Sequence, residues 1–303
     1  MRTPGKRIKP QGFRGFESRL LRKMKASTKQ AIAEYYDYAL PWYRIYHGSS
    51  NGIHFGYHDK TTKNYIDEII NTNRVLAKVA KIKKTDLILD AGCGIGGSSI
   101  WLVQNYGSKV VGITISPKQL EKAKELAKKA HVENKTEFHL MDFTETKFKN
   151  NTFDVVWALE SVCYTEYKID FLKEAHRILK KGGRLILHDG FLKREPKTDQ
   201  EKRIMQRFYK GFRLDNIATV DSFRKDMIKV GFKKIRCWDK KEDTMSSLIR
   251  IHTASMIAYP FVTILEKLHF LPSVVRENAD TGMAVYDGVK LDLDNIFLFY
   301  GEK

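Results

Sequence analysis

Residues Leu87–Gly97 read LILDAGCGIGG. Three apolar residues run into Asp90, and Gly92, Gly94 and Gly97 then satisfy the spacing G-x-G-x-x-G. The apolar run predicts a buried strand, and the glycines predict a tight turn whose backbone can approach a ligand closely. The following GSSIWLVQNYG predicts a helix whose free N–H groups open onto that turn.

Outward from this unit, strand and helix alternate. KVVGITIS reads as a strand and SPKQLEKAKELAKKA as a helix. TEFHLMD and FDVVWALES read as strands, IDFLKEAHRILKKGG as a helix and RLILHDG as a strand. Such alternation implies parallel β-α-β units in a doubly wound α/β sheet. Beyond Gly190 the rhythm changes. EKRIMQRFYKGF and TVDSFRKDMIKVGF read as helices and KKIRCWDK as a strand. MSSLIRIHTASMIAYPFVTILEKLHF reads as an apolar helix broken at Pro260, and NIFLFYGEK as an edge strand. On the other side, KNYIDEIINTNRVLAKVAKI has amphipathic helical spacing, and the aromatic-rich KQAIAEYYDYALPWYRIYHG precedes it. The expected architecture is a seven-stranded Rossmann-like sheet with a helical cap from the N-terminus and the C-terminal third. Its parts are a basic arm over 1–30, covering helices over 31–80, and a ligand-binding domain over 81–303 with cap insertions near 195–220 and 243–290.

Apolar residues make up 42% of the 303-residue chain and aromatics 12%, enough for a sizeable core, which excludes global disorder. Cys93, Cys163 and Cys237 are scattered without C-x-x-C spacing, so neither a disulfide framework nor a zinc site is expected. His54 and His58 stand four apart, but no third ligand is evident, and no metal is expected. The N-terminus lacks the apolar core of a signal peptide. The apolar stretch Thr253–Leu265 is about half the roughly 20 residues of a spanning helix. A cytoplasmic, non-spanning protein is expected. Net charge is +18, and the first thirty residues, with ten Lys/Arg and one Glu, contribute +9 of it. Such an arm suits an anionic surface, either phospholipid or nucleic acid, and equally suits a solvated terminus.

The glycine pattern is shared by dinucleotide sites and S-adenosylmethionine (SAM) sites. Asp90 is awkward beside the pyrophosphate of NAD or FAD, which must sit on this loop. It suits SAM, which has no phosphate but carries an ammonium and a sulfonium. The next strand, VVGITISPKQ, lacks the acid that NAD domains place on the ribose. Asp142, ending LMD, stands where SAM domains often place an acid near the adenine amino group.

LILDAGCGIGG, GITISPKQ, FDVVWALESVCY and LKKGGRLILHDG together resemble the class I SAM-dependent methyltransferases. More narrowly, they are similar to the group of tocopherol, sterol C- and prenyl-diphosphate C-methyltransferases and cyclopropane fatty-acid synthases. The likeness covers about 35–190 well and the C-terminal third only loosely. It implies that Thr114 and Gln119 replace the usual ribose-binding acid, with Ile115 and Phe143 beside them. Gln119 also fits a helix-capping box with Ser116 as N-cap and Pro117 at N1. The segment YYDYALPWYRIYHGSSNGIHFGYHD resembles the part of this group that folds over the methionine end of the cofactor, which implies that Tyr36, His54 and Phe55 border SAM. The crowded aromatics of the same segment also fit the buried stripe of a helix.

Methyl transfer from a sulfonium requires positioning, exclusion of water and removal of one proton. Glu160, ending the apolar strand FDVVWALE, is the leading catalytic candidate, because a carboxylate there is costly to bury without a partner or a task. Tyr164 follows in ESVCY. His188 ends RLILH, and the resemblance implies that Glu160 and His188 correspond to residues that help hold a bicarbonate base in cyclopropane synthases. The IHFGY run is closer to tocopherol methyltransferases, and no extended sterol signature appears in the last third. The expected activity is methyl transfer to a lipophilic small molecule, such as an isoprenoid, a sterol-like compound, an unsaturated lipid or a prenylated quinol, with peripheral membrane contact through the arm. Alternatives are a methyltransferase of a small polar amine or phenol, an RNA methyltransferase lacking the N-P-P-Y-like motif, and a SAM- or nucleic-acid-binding regulator.

Overall fold

The computed structural model describes residues 29–30, 32–33, 51–52 and 54–303. Residues 1–28 of the basic arm, and Tyr36 with its aromatic neighbours, lie outside the described residues.

Seven strands form one sheet in the order β3-β2-β1-β4-β5-β7-β6. They are β1 Leu87–Ala91, β2 Lys109–Thr114, β3 Thr136–Leu140, β4 Phe153–Leu159, β5 Leu179–Leu192, β6 Lys233–Asp239 and β7 Asp294–Glu302. β1 to β5 are mutually parallel, and β7 runs antiparallel to both β5 and β6. The chain leaves β1 towards β2 and β3, then returns to β4 on the other side. That reversal opens a crevice beyond the carboxyl ends of β1 and β4, where α/β sheets bind ligands.

The helices are α1 Tyr65–Ala80, α2 Gly97–Tyr106, α3 Pro117–Lys129, α4 Lys168–Ile178, α5 Asp199–Phe212, α6 Val220–Val230, α7 Lys241–Lys267 and α8 Ser273–Lys290. Alternation along the strands feeds two cores. Ile88, Val155, Trp157 and Ile186 pack with α1, α2 and α3, while Leu89, Val156 and Leu185 pack with Phe171 of α4 and Phe223 of α6. A third core, built from Phe55, Leu192, Phe208, Leu248, Val285 and Ile296, joins α5, α7 and α8 to the far ends of β5 and β7. This is the cap.

Three expectations are corrected. The helix expected over IDFLKEAHRILKKGG stops at Ile178. Leu179 pairs with Phe153 and Arg184 with Val155, and the intervening excursion turns at Gly182 with φ 76°. NIFLFYGEK is not an edge strand, since β7 lies between β5 and β6 and is buried from Asp294 to Gly301. Its unbroken apolar run is the pattern of a strand covered on both faces. Finally, α7 continues through Pro260. The hydrogen bond removed there is the one to the carbonyl of Met256, on the exposed side of the helix, so the local cost is borne without a break.

Candidate functional site

Two half-open cavities, about 840 and 870 Å³ with the solvent at their mouths included, meet beyond the carboxyl ends of β1, β4 and β5. The first lies over the glycine turn. Asp90 is 2% exposed at the end of β1 and accepts a hydrogen bond from Ser99 Oγ at 2.6 Å. Burial pushes its pKa up to about 6 against the pull of that bond. Gly92 and Gly94 both take the left-handed conformation, with φ of 84° and 54°. A Cβ on Gly92 would lie 2.4 Å from Ser161 Cβ, whereas one on Gly94 would meet nothing within 4 Å and project into open space. The turn therefore presents bare backbone to the cavity.

Thr114 Oγ1 donates to Gln119 Oε1 at 2.7 Å, which leaves the Gln119 amide N–H groups as donors on the cavity wall. Ser116 caps α3 by accepting from the Gln119 N–H at 3.1 Å, so Gln119 serves the helix with its backbone and the cavity with its side chain. Ile115 and Phe143 form an apolar slot beside this pair. Asp142 lies off this cavity, on an adjoining one that shares Ile115 and Phe143 with it. Its Oδ1 accepts from Thr144 N and Oγ1, both at 2.8 Å, and its Oδ2 is paired with Lys29. Burial works to raise its pKa, but these partners outweigh burial and hold the carboxyl below its ordinary value.

The second cavity is walled by Phe208 and Phe212 of α5, Leu214, Ile217, Leu248 and Ile251 of α7, Val285 and Val289 of α8, and Ile296 of β7. Among the described residues, only His54, Glu160 and Tyr164 line both cavities. Glu160 takes φ 48°, an unusual backbone for a glutamate and one found at functional sites. Its N–H donates to the His188 carbonyl at 2.7 Å, and its Oε1 accepts from the Phe55 N–H at 2.8 Å. Burial pushes its pKa well up, against the Phe55 bond and with the Asp189 charge adding to the rise. His54 donates Nε2–H to the Ile69 carbonyl at 3.1 Å, and burial holds its pKa down at about 4, so the ring is neutral. His58 points elsewhere, towards Glu68, so the two histidines do not converge.

Phe55 lines the second cavity and not the first. His188 lines neither. It is fully buried beneath Glu160, its ring 5.1 Å from that of Tyr57. Its Nδ1 is 3.4 Å from Glu160 Oε1 but not aligned for a hydrogen bond, and both ring nitrogens lack a partner. Burial holds its pKa well down, with His54 and Lys240 acting in the same direction. Its hydrogen bond to Glu160 is made by its backbone carbonyl and not by its ring. Two cavity acids are additions to the sequence reading. Asp189 accepts from Cys163 N at 2.9 Å and Gly190 N at 2.8 Å, and burial raises its pKa. Asp294 has a buried Oδ1 without a partner, and burial lifts its pKa to about 7. The loop bearing Tyr164 is pinned by the buried Lys168 ammonium, which donates to the carbonyls of Cys163, Thr165 and Asn216.

Residues 89–187 match the model of the methyltransferase domain. The chain is similar to that domain over about a third of its length. It is 30% identical over 214 residues to the sterol 24-C-methyltransferase of Kluyveromyces lactis, covering 70% of this chain and 57% of that protein. It is 32% identical over 166 residues to the chloroplastic tocopherol O-methyltransferase of Arabidopsis thaliana, covering 53% of this chain and 48% of that protein. The chain thus spans about half the length of these two relatives. Its fold superimposes on the cyclopropane synthase MmaA2 of Mycobacterium tuberculosis with a TM-score of 0.76 at 16% identity, over 88% of this chain and 95% of that one.

The domain's cofactor is S-adenosylmethionine, and the first cavity fits it. The side-chain-free turn at Gly94 leaves room for it, the buried carboxyl of Asp90 suits its cationic groups, the Gln119 amide offers donors for a ribose diol, and the Ile115–Phe143 slot accepts a flat base. Among the described residues no cluster of His, Cys, Asp and Glu is arranged to hold a metal ion.

Proposed function

We propose that this protein is a SAM-dependent methyltransferase of a lipophilic small molecule: an isoprenoid, a sterol-like compound, an unsaturated lipid or a prenylated quinol. The observation that carries the reading is the junction. A polar cavity suited to the cofactor and a largely apolar one meet at His54, Glu160 and Tyr164. The bound cofactor supplies an electrophilic methyl group on sulfur. The protein holds the acceptor's reacting atom in line with it and excludes water. Positioning of this kind is worth roughly 7–11 kcal/mol. Transfer would form a bond from the acceptor atom to the methyl carbon as the carbon–sulfur bond breaks and the thioether leaves, and one proton would leave the acceptor.

Glu160 takes that proton or faces the positive charge that precedes its loss. Burial raises its pKa, which makes the ionised carboxylate a stronger proton acceptor than an ordinary glutamate, and the Phe55 N–H keeps the carboxyl aimed. Tyr164, Phe55, Phe208 and Phe212 place aromatic faces around an alkene-derived cation. His188 positions Glu160 and does not touch the acceptor. A second reading, an amine acceptor, is favoured by the three carboxyls of Glu160, Asp189 and Asp294 on the second cavity. The protein is cytoplasmic in this proposal, and the +9 arm contacts an anionic membrane peripherally.

Methyl-tritiated SAM incubated with the protein and, separately, a total lipid extract, a set of small amines and total RNA tests the proposal. Label in the lipid fraction, lost with Glu160→Gln, is the expected result. Label in the amines selects the second reading, and label in RNA overturns both.

A further inference from the structure

Helix α7 is committed to the fold on one side and apolar on the other. Its inner face, Thr244, Ser247, Leu248, Ile251 and Ser255, packs on the fold, and Leu248 and Ile251 reach the second cavity. Opposite, at helical spacing, Ile249, Met256, Ile257, Phe261, Ile264 and Leu268 are between 48% and 64% exposed, and Phe270 in the turn beyond is 74% exposed. Among the described residues, most of the exposed large apolar side chains lie on this one ridge. From Thr244 to Leu265 there is no acidic residue, and Arg250 supplies a positive charge. A contiguous apolar surface of this kind marks a site that something apolar covers.

We propose that this ridge is the face by which the protein docks on an anionic bilayer, with α7 lying in the plane of the interface. Charge complementarity selects the occupant. The whole chain is +18, and half of that charge is on residues 1–30, so an anionic lipid surface is favoured where a second copy of the same cationic chain is repelled. By length and composition α7 is also apolar enough to cross a membrane. Its first turns are committed to the domain, however. Ser246 Oγ donates to Glu68 Oε1 at 2.8 Å, Ser247 Oγ accepts from Gly56 N at 2.9 Å, and the Arg250 guanidinium sits 4.8 Å from the Tyr65 ring centre. A helix fastened this way along one side rests on the interface and does not span it. Because its inner face walls the acceptor cavity, docking brings that cavity to the lipid. The inference rests on the lipophilic-acceptor reading for its purpose.

Flotation of the full chain with phosphatidylcholine vesicles, with and without phosphatidylserine, tests it, using Ile257→Ser, Phe261→Ser and Phe270→Ser singly and together. These side chains face away from the core, so cofactor binding and turnover of a detergent-dispersed acceptor report on folding and on the proposed activity separately. Each single change lowers the partition coefficient about tenfold, the triple variant loses vesicle binding, and phosphatidylserine strengthens binding of the wild type. Vesicle binding unchanged in the triple variant overturns the inference. So does a concentration-dependent dimer that the triple variant abolishes, since the ridge then belongs to a second copy. Failure of methyl transfer with vesicle binding intact strikes the activity and leaves the docking face standing.

Discussion

The carboxylate of Glu160 accepts a hydrogen bond at 2.8 Å from the backbone N–H of Phe55, 105 residues earlier in the chain. The segment before α1 therefore aims the one acid shared by both cavities. Glu160→Gln keeps the shape and an acceptor oxygen for Phe55 but cannot take a proton. We expect kcat to fall by about 10²–10⁴ while cofactor affinity is unchanged. In the wild type, kcat rises with pH through the raised pKa of Glu160, above the range in which an ordinary glutamate is already ionised. Steady-state kinetics across pH, with calorimetry for cofactor affinity, checks both. A pH-independent kcat, or full activity in the glutamine variant, removes Glu160 from the chemistry.

Gly92 and Gly94 separate stability from binding. Both have positive φ, so alanine at either costs about 1 kcal/mol of backbone strain. At Gly92 the added methyl also collides with Ser161 Cβ, and the variant should lose roughly 2–4 kcal/mol of stability. At Gly94 the methyl has space, so stability falls only slightly, yet the cavity wall thickens where the cofactor must lie. Denaturant unfolding and cofactor titration on both variants check the contrast. Equal stability losses would mean that the turn relaxes around Ser161.

Asp90 gives the cofactor site a pH dependence. Its folded pKa of about 6 means that below that pH the carboxyl is protonated, and the attraction for a cationic ligand is lost. Cofactor affinity should therefore rise from pH 5 to pH 7 and level off, with net proton release on binding at the lower end. Isothermal titration in buffers of different ionisation enthalpy measures this. Asp90→Asn should bind more weakly and show no such slope.

The glycine turn was legible because its signals are local: an apolar run, then residues chosen for positive φ. The same holds for Ser116 capping α3. The junction was half-legible. Glu160 stood out as a charge ending an apolar strand, but His188 and Asp189 could not be ranked by sequence. Successive strand residues face opposite sides, and only the register of β5 against β4 and β7 sends His188 towards Tyr57 and Asp189 into the cavity. Asp294 was hidden further. NIFLFYGEK looked like an exposed edge, and nothing local says that β7 slips between β5 and β6 and carries Asp294 under α8.

Asp294 has a stability consequence. It is 5% exposed, and burial raises its pKa from 3.8 to about 7. Between about pH 4 and 7 the folded state thus holds a proton that the unfolded chain has lost, and unfolding becomes easier as pH rises through that window. Above pH 7 the folded protein carries a buried carboxylate whose excess cost is up to about 4 kcal/mol. Asp294→Asn removes that charge. The melting temperature of the variant relative to wild type should therefore be higher at pH 8 than at pH 4, with the difference developing between those values. Calorimetric scans of both proteins across pH check it. A difference independent of pH would mean that the carboxyl finds a counter-charge or water in the cavity and titrates normally.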